Sequence, residues 1–156
     1  HDKIYQSDSP SAVNMKIYLE ELLQGLKRTY DEIQQYIQID LKIDSEIALD
    51  LDTAVPCALV LNELLANVFE HAFPQDHKDS NNQVEISFQP DGPDFDFELR
   101  VRDNGVGLPE GYNVASVGTQ STLGLGLVKS LVERQLRGDL EINSEPGAGT
   151  EFVLKF

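Results

Sequence analysis

The sequence predicts a two-layer α/β sandwich, a largely antiparallel sheet packed against three helices. Two kinds of periodicity and one kind of turn predict it. Apolar residues recur at helical spacing in three separate stretches and at every second position in the stretches between, the pattern of strands with one buried face. The later strands also come in neighbouring pairs joined by turn-forming residues, so each pair closes as an antiparallel hairpin. A chain of 156 residues, 40% of them hydrophobic, has room for one such domain and a core that needs no staples.

The elements follow in order. Residues 1–12, HDKIYQSDSPSA, are polar and turn-like, and read as the remnant of a preceding helix or linker; the domain proper spans 13–156. From Val13 to about Tyr36, the residues Ile17, Leu19, Leu22, Leu23, Leu26, Tyr30 and Ile33 draw a broad apolar helical stripe. The period then changes to two: Ile37, Ile39, Leu41 and Ile43 predict one strand, and Ile47, Leu49 and Leu51 another. Asp52 or Thr53 can cap the next helix, with Pro56 in its first turn. This helix carries Leu59, Leu61, Leu64, Leu65, Val68, Phe69 and Ala72 and ends near Pro74. After the loop PQDHKDSNN, the strand VEISFQ, the turn PDGPD and the strand FDFELRVR predict a hairpin in which Phe95, Phe97, Leu99 and Val101 share a face. Residues 103–123 are glycine-rich. A helix through LVKSLVERQL then stops near Gly138, and LEINSE, a Pro-Gly-Ala-Gly turn and TEFVLKF make the second hairpin.

Charge and cysteine content narrow the function classes. Twelve Lys and Arg against 27 Asp and Glu give a net charge of −15, which repels nucleic acid and acidic lipid at long range and favours a basic partner. The single cysteine, Cys57, has no internal partner and lies in an apolar run, as a buried thiol in a reducing compartment would. No apolar stretch approaches the roughly 20 residues that span a bilayer, so a cytoplasmic domain without direct membrane contact is expected, whether its parent is soluble or membrane-anchored. A polyphosphate ligand would need local help from a cation, backbone N–H groups or a helix start.

Four short motifs supply such help. In LNELLANVFEHA, Glu63 and Asn67 are four apart and share a helical face, while Leu64, Leu65, Val68 and Ala72 point more towards the core. The Asn67 amide oxygen suits a hard magnesium ion whose octahedron is completed by waters and phosphate oxygens, and a carboxylate one turn earlier can order such a water or accept a proton. Asp103-Asn104-Gly105-Val106-Gly107 follows a strong strand; its glycines permit a tight turn and close backbone approach, and its carboxylate can accept from an exocyclic amine such as that of adenine. In Gly118–Leu127, Gly124 and Gly126 let N–H groups face an anion at a helix start, and Ser121 and Thr122 either donate to phosphate oxygens or cap the helix. Gly147-Ala148-Gly149-Thr150 opens the last strand, as a ligand-lining loop or a plain hairpin turn.

In this order the motifs resemble the ATP-binding catalytic domain of sensor histidine kinases, within the superfamily that includes gyrase B, the ninety-kilodalton chaperone and the mismatch-repair ATPases. The resemblance runs over about residues 14–156. It implies a mixed, largely antiparallel sheet packed against three helices, with ATP and Mg2+ as ligands. LNELLANVFEHAF resembles the N box, giving Asn67 the magnesium role and Glu63 that of helper to phosphoryl transfer. VRDNGVGL resembles the first glycine box, with Asp103 receiving the adenine amino group and Gly105 and Gly107 shaping the pocket. TLGLGLVKSLV resembles the second, in which Thr122, Leu123, Gly124, Leu125, Gly126 and Leu127 wrap the phosphates. In GAGTEFVLKF, Thr150 supports the adenine contact. His71-Ala72-Phe73-Pro74 and the short 108–121 lid resemble the branch with the second type of dimerisation and phosphoacceptor domain.

Two departures stand out. Relatives often carry a basic residue where this chain has Glu70, which leaves Lys129, His71 and magnesium to compensate. The helices bearing a phosphoacceptor histidine are missing, and His1, His71 and His77 sit in no acceptor motif. The resemblance therefore implies a domain, monomeric by itself, that works with a histidine-bearing dimerisation domain in a dimeric parent and, indirectly, a response regulator. A lid over 108–123, with Gly107, Gly111, Gly118 and Gly124 at or near its ends, is expected to order on nucleotide binding. A serine kinase of the anti-sigma-factor type, an ATPase driving dimer closure and a non-catalytic nucleotide- or partner-binding module are the alternatives.

Overall fold

The computed structural model describes residues 12–74, 81–109 and 124–156. In chain order these form β1 (Ala12–Asn14), α1 (Met15–Thr29), α2 (Asp31–Gln34), β2 (Ile37–Ile43), β3 (Ala48–Asp50), α3 (Leu51–Asn67), β4 (Asn82–Pro90), β5 (Phe97–Asp103), α4 (Leu125–Ser130), β6 (Asp139–Glu145) and β7 (Gly149–Lys155). Helices α3 and α4 each run on into a five-residue π-helical turn, Val68–Ala72 and Leu131–Gln135.

The main sheet has the order β2-β4-β5-β7-β6; β2 and β4 are parallel and the other neighbours antiparallel. This is the mixed, largely antiparallel sheet expected, and both hairpins predicted from turn chemistry are present. Alternation puts Val84, Ile86 and Phe88, then Leu99 and Val101, then Phe152 and Leu154 on one buried face. Helices α1, α3 and α4 join that face in a single core. Along α3, Cys57, Val60, Leu61, Leu64 and Leu65 are each at most 1% exposed. Burying a Leu or Val side chain to this degree is worth roughly 1.5–3 kcal/mol, so α3 is the element that fixes the helical layer on the sheet.

Several boundaries differ from expectation, for local reasons. The 13–36 helix is preceded by a strand and broken near its end. The Asn14 side chain accepts from the Ile17 N–H at 3.0 Å and so starts α1 at Met15, and the chain leaves helical geometry at Tyr30 before the short α2. Ile17, assigned to the apolar stripe, is 57% exposed. The second predicted strand shrinks to β3, which pairs with β1 in a separate two-stranded sheet. Leu51 belongs not to it but to the first turn of α3, because Asp50 is the cap and accepts from the Thr53 N–H at 2.9 Å. Pro56 consequently sits in the second turn of α3, not the first. With its π-helical turn, α3 forms an unbroken Leu51–Ala72 helix, long and apolar enough by length and composition to cross a membrane, contrary to the expectation that no stretch comes near. Its apolarity is used in packing on α1, α4 and the sheet.

Candidate functional site

The site is assembled by register at one end of the sheet. Asp103 of β5 lies opposite Val84 of β4 on one side and Thr150 of β7 on the other, and Thr150 lies opposite Ser144 of β6. Because all four occupy one row, and rows two residues away carry Val101, Phe152 and Ile142, the apolar core face ends in a polar row of Asp103, Thr150 and Ser144. Asp103 is 6% exposed, and its carboxylate accepts the Gly105 N–H at 2.9 Å and the backbone N–H of Thr150. Burial pushes this carboxyl above its ordinary value, and the two amide donors pull it part of the way back. The Ser144 hydroxyl accepts from the Leu108 N–H at 2.8 Å and lies 3.1 Å from the Thr150 hydroxyl.

The turn after Asp103 is clamped from two sides. The Val106 N–H donates to the Ala72 carbonyl at 2.9 Å, at the last residue of the helix that carries Glu63 and Asn67. A Cβ on Gly105 would lie 2.3 Å from that same carbonyl oxygen, so the approach excludes any side chain. On the other side the Gly147 N–H donates to the Val106 carbonyl at 2.8 Å, and Gly107, at φ +81°, packs on the backbone of Glu145. Asn104 faces outwards and ties the turn to the start of β4, accepting from the Gln83 N–H at 2.7 Å. The first glycine motif is thus fixed both to the end of the Asn67 helix and to the last hairpin.

The remaining pieces meet along α3. Glu63 and Asn67 are half-buried on one face, whereas Leu64, Leu65, Val68 and Ala72 are buried. Gly124 opens α4 at φ +71°, and a Cβ there would lie 2.7 Å from a Glu63 carboxylate oxygen, which brings the second glycine motif against the turn of α3 that carries Glu63. Leu125 is fully buried in the core and Leu127 is 51% exposed, so these two leucines of the motif have opposite surroundings. Gly126 is half-buried; Lys129, also half-buried, lies one turn further along α4, and His71 is exposed near the end of the Asn67 helix. Thr122, Leu123, His1, His77 and the lid segment 110–123 lie outside the described residues. A depression of about 390 Å³ opens at the strand side of the polar row, taking in Asp103, Ser144, Thr150 and Arg102 but neither Glu63 nor Asn67. The meeting of α3, the 103–107 turn and the start of α4 therefore defines the site better than that depression does.

Sequence reasoning did not single out Ser144 or the Ala72 carbonyl. The alternation Leu140, Ile142, Ser144 carried a signal for the first, a hydroxyl on the apolar face of a strand. A backbone carbonyl leaves no signal of its own.

Residues 53–156 match the family described as histidine kinase-, DNA gyrase B- and HSP90-like ATPase. The chain belongs to this family. The ATPase domain is 36% identical, over 107 residues, to the sensor histidine kinase PdtaS of Mycolicibacterium smegmatis, covering 69% of this chain and 20% of that protein. It is 35% identical over the same length to PdtaS of Mycobacterium tuberculosis. The chain therefore spans about a fifth of the length of these relatives. Its fold is shared with the histidine kinase domain of a blue-light activated kinase of Erythrobacter litoralis, with a TM-score of 0.76 and 19% identity over 97% of this chain and 65% of that one. It is shared also with the catalytic domain of the histidine kinase ThkA, at 0.68 and 18% over 93% and 92%. The chain thus carries an ATP-binding domain homologous to the catalytic domains of sensor histidine kinases.

Proposed function

We propose that this domain, residues 13–156 of a larger parent, binds Mg-ATP where α3, the 103–107 turn and the start of α4 meet, and transfers the γ-phosphoryl group to a histidine nitrogen on a separate dimerisation domain. The observation that carries the reading is the seam between Val106 and Ala72, which holds the Asp103 turn against the end of the helix bearing Glu63 and Asn67. In the transfer, an imidazole nitrogen forms a bond to the γ-phosphorus as the bond to the bridging oxygen of ADP breaks, and the imidazole gives up a proton. The protein's task is positioning and charge placement more than covalent chemistry.

Each residue then has a role. Asp103, a buried acceptor tied down by two amides, receives the adenine amino group, with Thr150 beside it. Gly105 and Gly107 let the backbone come close to the base; Thr122, Leu123, Gly124, Leu125, Gly126 and Leu127 wrap the phosphates. Glu63 helps order or deprotonate at the reacting end, Lys129 offers positive charge to the phosphates, and His71 offers an imidazole N–H. Among the described residues no three His, Cys, Asp or Glu side chains gather into a metal cage. A single amide donor at Asn67, with a carboxylate one turn away, fits a magnesium ion that arrives with the nucleotide and keeps its waters. Such an ion would draw charge from the phosphates. The acceptor domain, a response regulator downstream, a dimeric parent and a cytoplasmic setting belong to this proposal.

Incubation with γ-labelled ATP and a histidine-bearing acceptor tests it. Acid-labile, base-stable label on the acceptor is expected, and acid-stable label on serine would replace this reading with that of a serine kinase. Asn67→Ala should abolish magnesium-dependent ATP affinity in a chain that still folds; unchanged affinity would remove Asn67 from the site.

A further inference from the structure

The Ser144 side chain stands where three segments meet. It lies on the exposed edge strand β6, opposite Thr150 of β7, which is in turn opposite Asp103 of β5. Its hydroxyl accepts the Leu108 N–H at 2.8 Å, and lies 3.2 Å from the Gly149 carbonyl oxygen and 3.1 Å from the Thr150 hydroxyl. Gly107, at φ +81°, permits the first contact: a Cβ there would lie 3.2 Å from the Ser144 oxygen and 2.5 Å from the Glu145 carbonyl oxygen. A serine hydroxyl has one proton and two lone pairs. The Gly149 carbonyl can only accept, so it takes the Ser144 proton. The Leu108 N–H occupies one lone pair, and Thr150 must donate to the other. All three contacts close together in that arrangement alone. Thr150 is 6% exposed, and a hydroxyl so buried keeps a protein partner for its proton.

We propose that Ser144 is a positioning residue for base recognition: by taking the Thr150 proton it leaves the Thr150 hydroxyl able only to accept, so the polar row selects a base edge that donates. The inference rests on the Mg-ATP reading above and deepens it to the choice of base. The ionised Asp103 carboxylate is acceptor-only as well, and residues opposite each other in a sheet project from the same face. Two neighbouring acceptors suit the exocyclic amine of adenine, which carries two N–H donors. They oppose the carbonyl that replaces it in a 6-oxopurine, whose lone pairs would face theirs. Without Ser144 the Thr150 hydroxyl is free to turn and donate to such a carbonyl. Selectivity of this kind depends on where one proton sits more than on the shape of the pocket.

Calorimetric titration of four proteins tests this: wild type, Ser144→Ala, Thr150→Val and the double variant. Each is titrated with the magnesium complexes of ATP and of inosine triphosphate, which carries a 6-oxo group in place of the amine. In Ser144→Ala the preference for ATP should fall about three- to tenfold, the worth of one hydrogen bond. Thr150→Val, which removes the hydroxyl and keeps the shape, should also lower the preference, and adding Ser144→Ala to it should lower it no further. An unchanged preference in Ser144→Ala, a parallel weakening of both nucleotides as a merely structural role would give, or a further fall in the double variant would each overturn the proposal while leaving Mg-ATP binding intact. Residue-resolved amide exchange tests the contact without nucleotide. The Leu108 amide should exchange faster in Ser144→Ala, and an unchanged rate refutes the contact even if Mg-ATP binds. A wild type in which Ser144 slows the Leu108 amide but neither nucleotide binds would instead sink the nucleotide reading, and the positioning role with it.

Discussion

Replacing Gly105 with alanine tests the seam on which the site is built. The new Cβ would stand 2.3 Å from the Ala72 carbonyl oxygen and 2.8 Å from both the carbonyl carbon and the Cβ of that residue. Ordinary contact begins at 3.4 Å, so the two backbones must part by about 1.1 Å. The obstructing atoms are backbone at the end of a packed helix and cannot rotate aside. Such a displacement breaks the 2.9 Å bond from the Val106 N–H to Ala72 and strains the 2.9 Å bond from the Gly105 N–H to Asp103. A neutral bond contributes about 1 kcal/mol and one to a carboxylate about 1.5–3 kcal/mol, so the expected loss is roughly 2–4 kcal/mol. For a domain of this size that corresponds to a fall in Tm of roughly 5–15 °C. Gly25→Ala is the internal control: it lies inside α1, its Cβ would meet nothing nearer than the Arg28 guanidinium at 3.8 Å, and it should gain about 0.5–1 kcal/mol. Urea unfolding measures both variants, and calorimetry with Mg-ATP below the transition measures the site. An unfolding midpoint for Gly105→Ala equal to wild type would refute the seam. A destabilised variant with undiminished nucleotide affinity would show that the seam does not shape the binding site.

Two further outcomes follow from burial. Cys57 is fully buried and its thiol is pushed up to about 12, so a thiol reagent at pH 8 should label the chain only after unfolding; rapid labelling of the native protein would contradict its place in the core. Burial raises the Asp103 carboxyl in the folded state, so between its unfolded and folded values the native chain holds the extra proton, and its contribution to stability falls as pH rises through that window and is level above it. Subtracting the stability curve of Asp103→Asn from that of wild type should isolate this decline from the other carboxylates; a difference that grows with pH in the window would reverse the sign and refute the burial argument.

What the sequence made legible was whatever depends on near neighbours. The alternation in β2, β4, β5 and β7 depends only on which side chains face the core, so those strands were readable, as were the two hairpins whose turns carry glycine and proline. Helix ends were read less well because side chains compete for the cap. Asp50, Asp52 and Thr53 all have the chemistry, and Asp50 takes the role because it is also the last residue of β3, already extended at φ −66° and ψ 160°. Tyr30 fitted the helical stripe by spacing, and it does lie against the core, but its ring is engaged with Phe69 of a distant helix at the point where α1 ends.

The candidate site divides along the same line. Its residues were nameable from four local patterns, but their convergence depends on contacts that local patterns do not encode. Gly105 reads as a turn glycine from sequence; only the fold supplies the Ala72 carbonyl that forbids a side chain there. Gly124 reads as a helix start, and the neighbour that crowds it is Glu63, sixty-one residues earlier by subtraction of their numbers. Ser144 enters because β6 and β7 pair in a register that sets it opposite Thr150, itself opposite Asp103. A glycine in this domain therefore carries two kinds of information. Its position in a motif marks a turn, and the distant group occupying the space of its missing side chain marks what that turn is joined to. At Gly105 and Gly124 those groups belong to the same helix, so two loops are drawn to the one element, well before both in sequence, that carries Glu63 and Asn67.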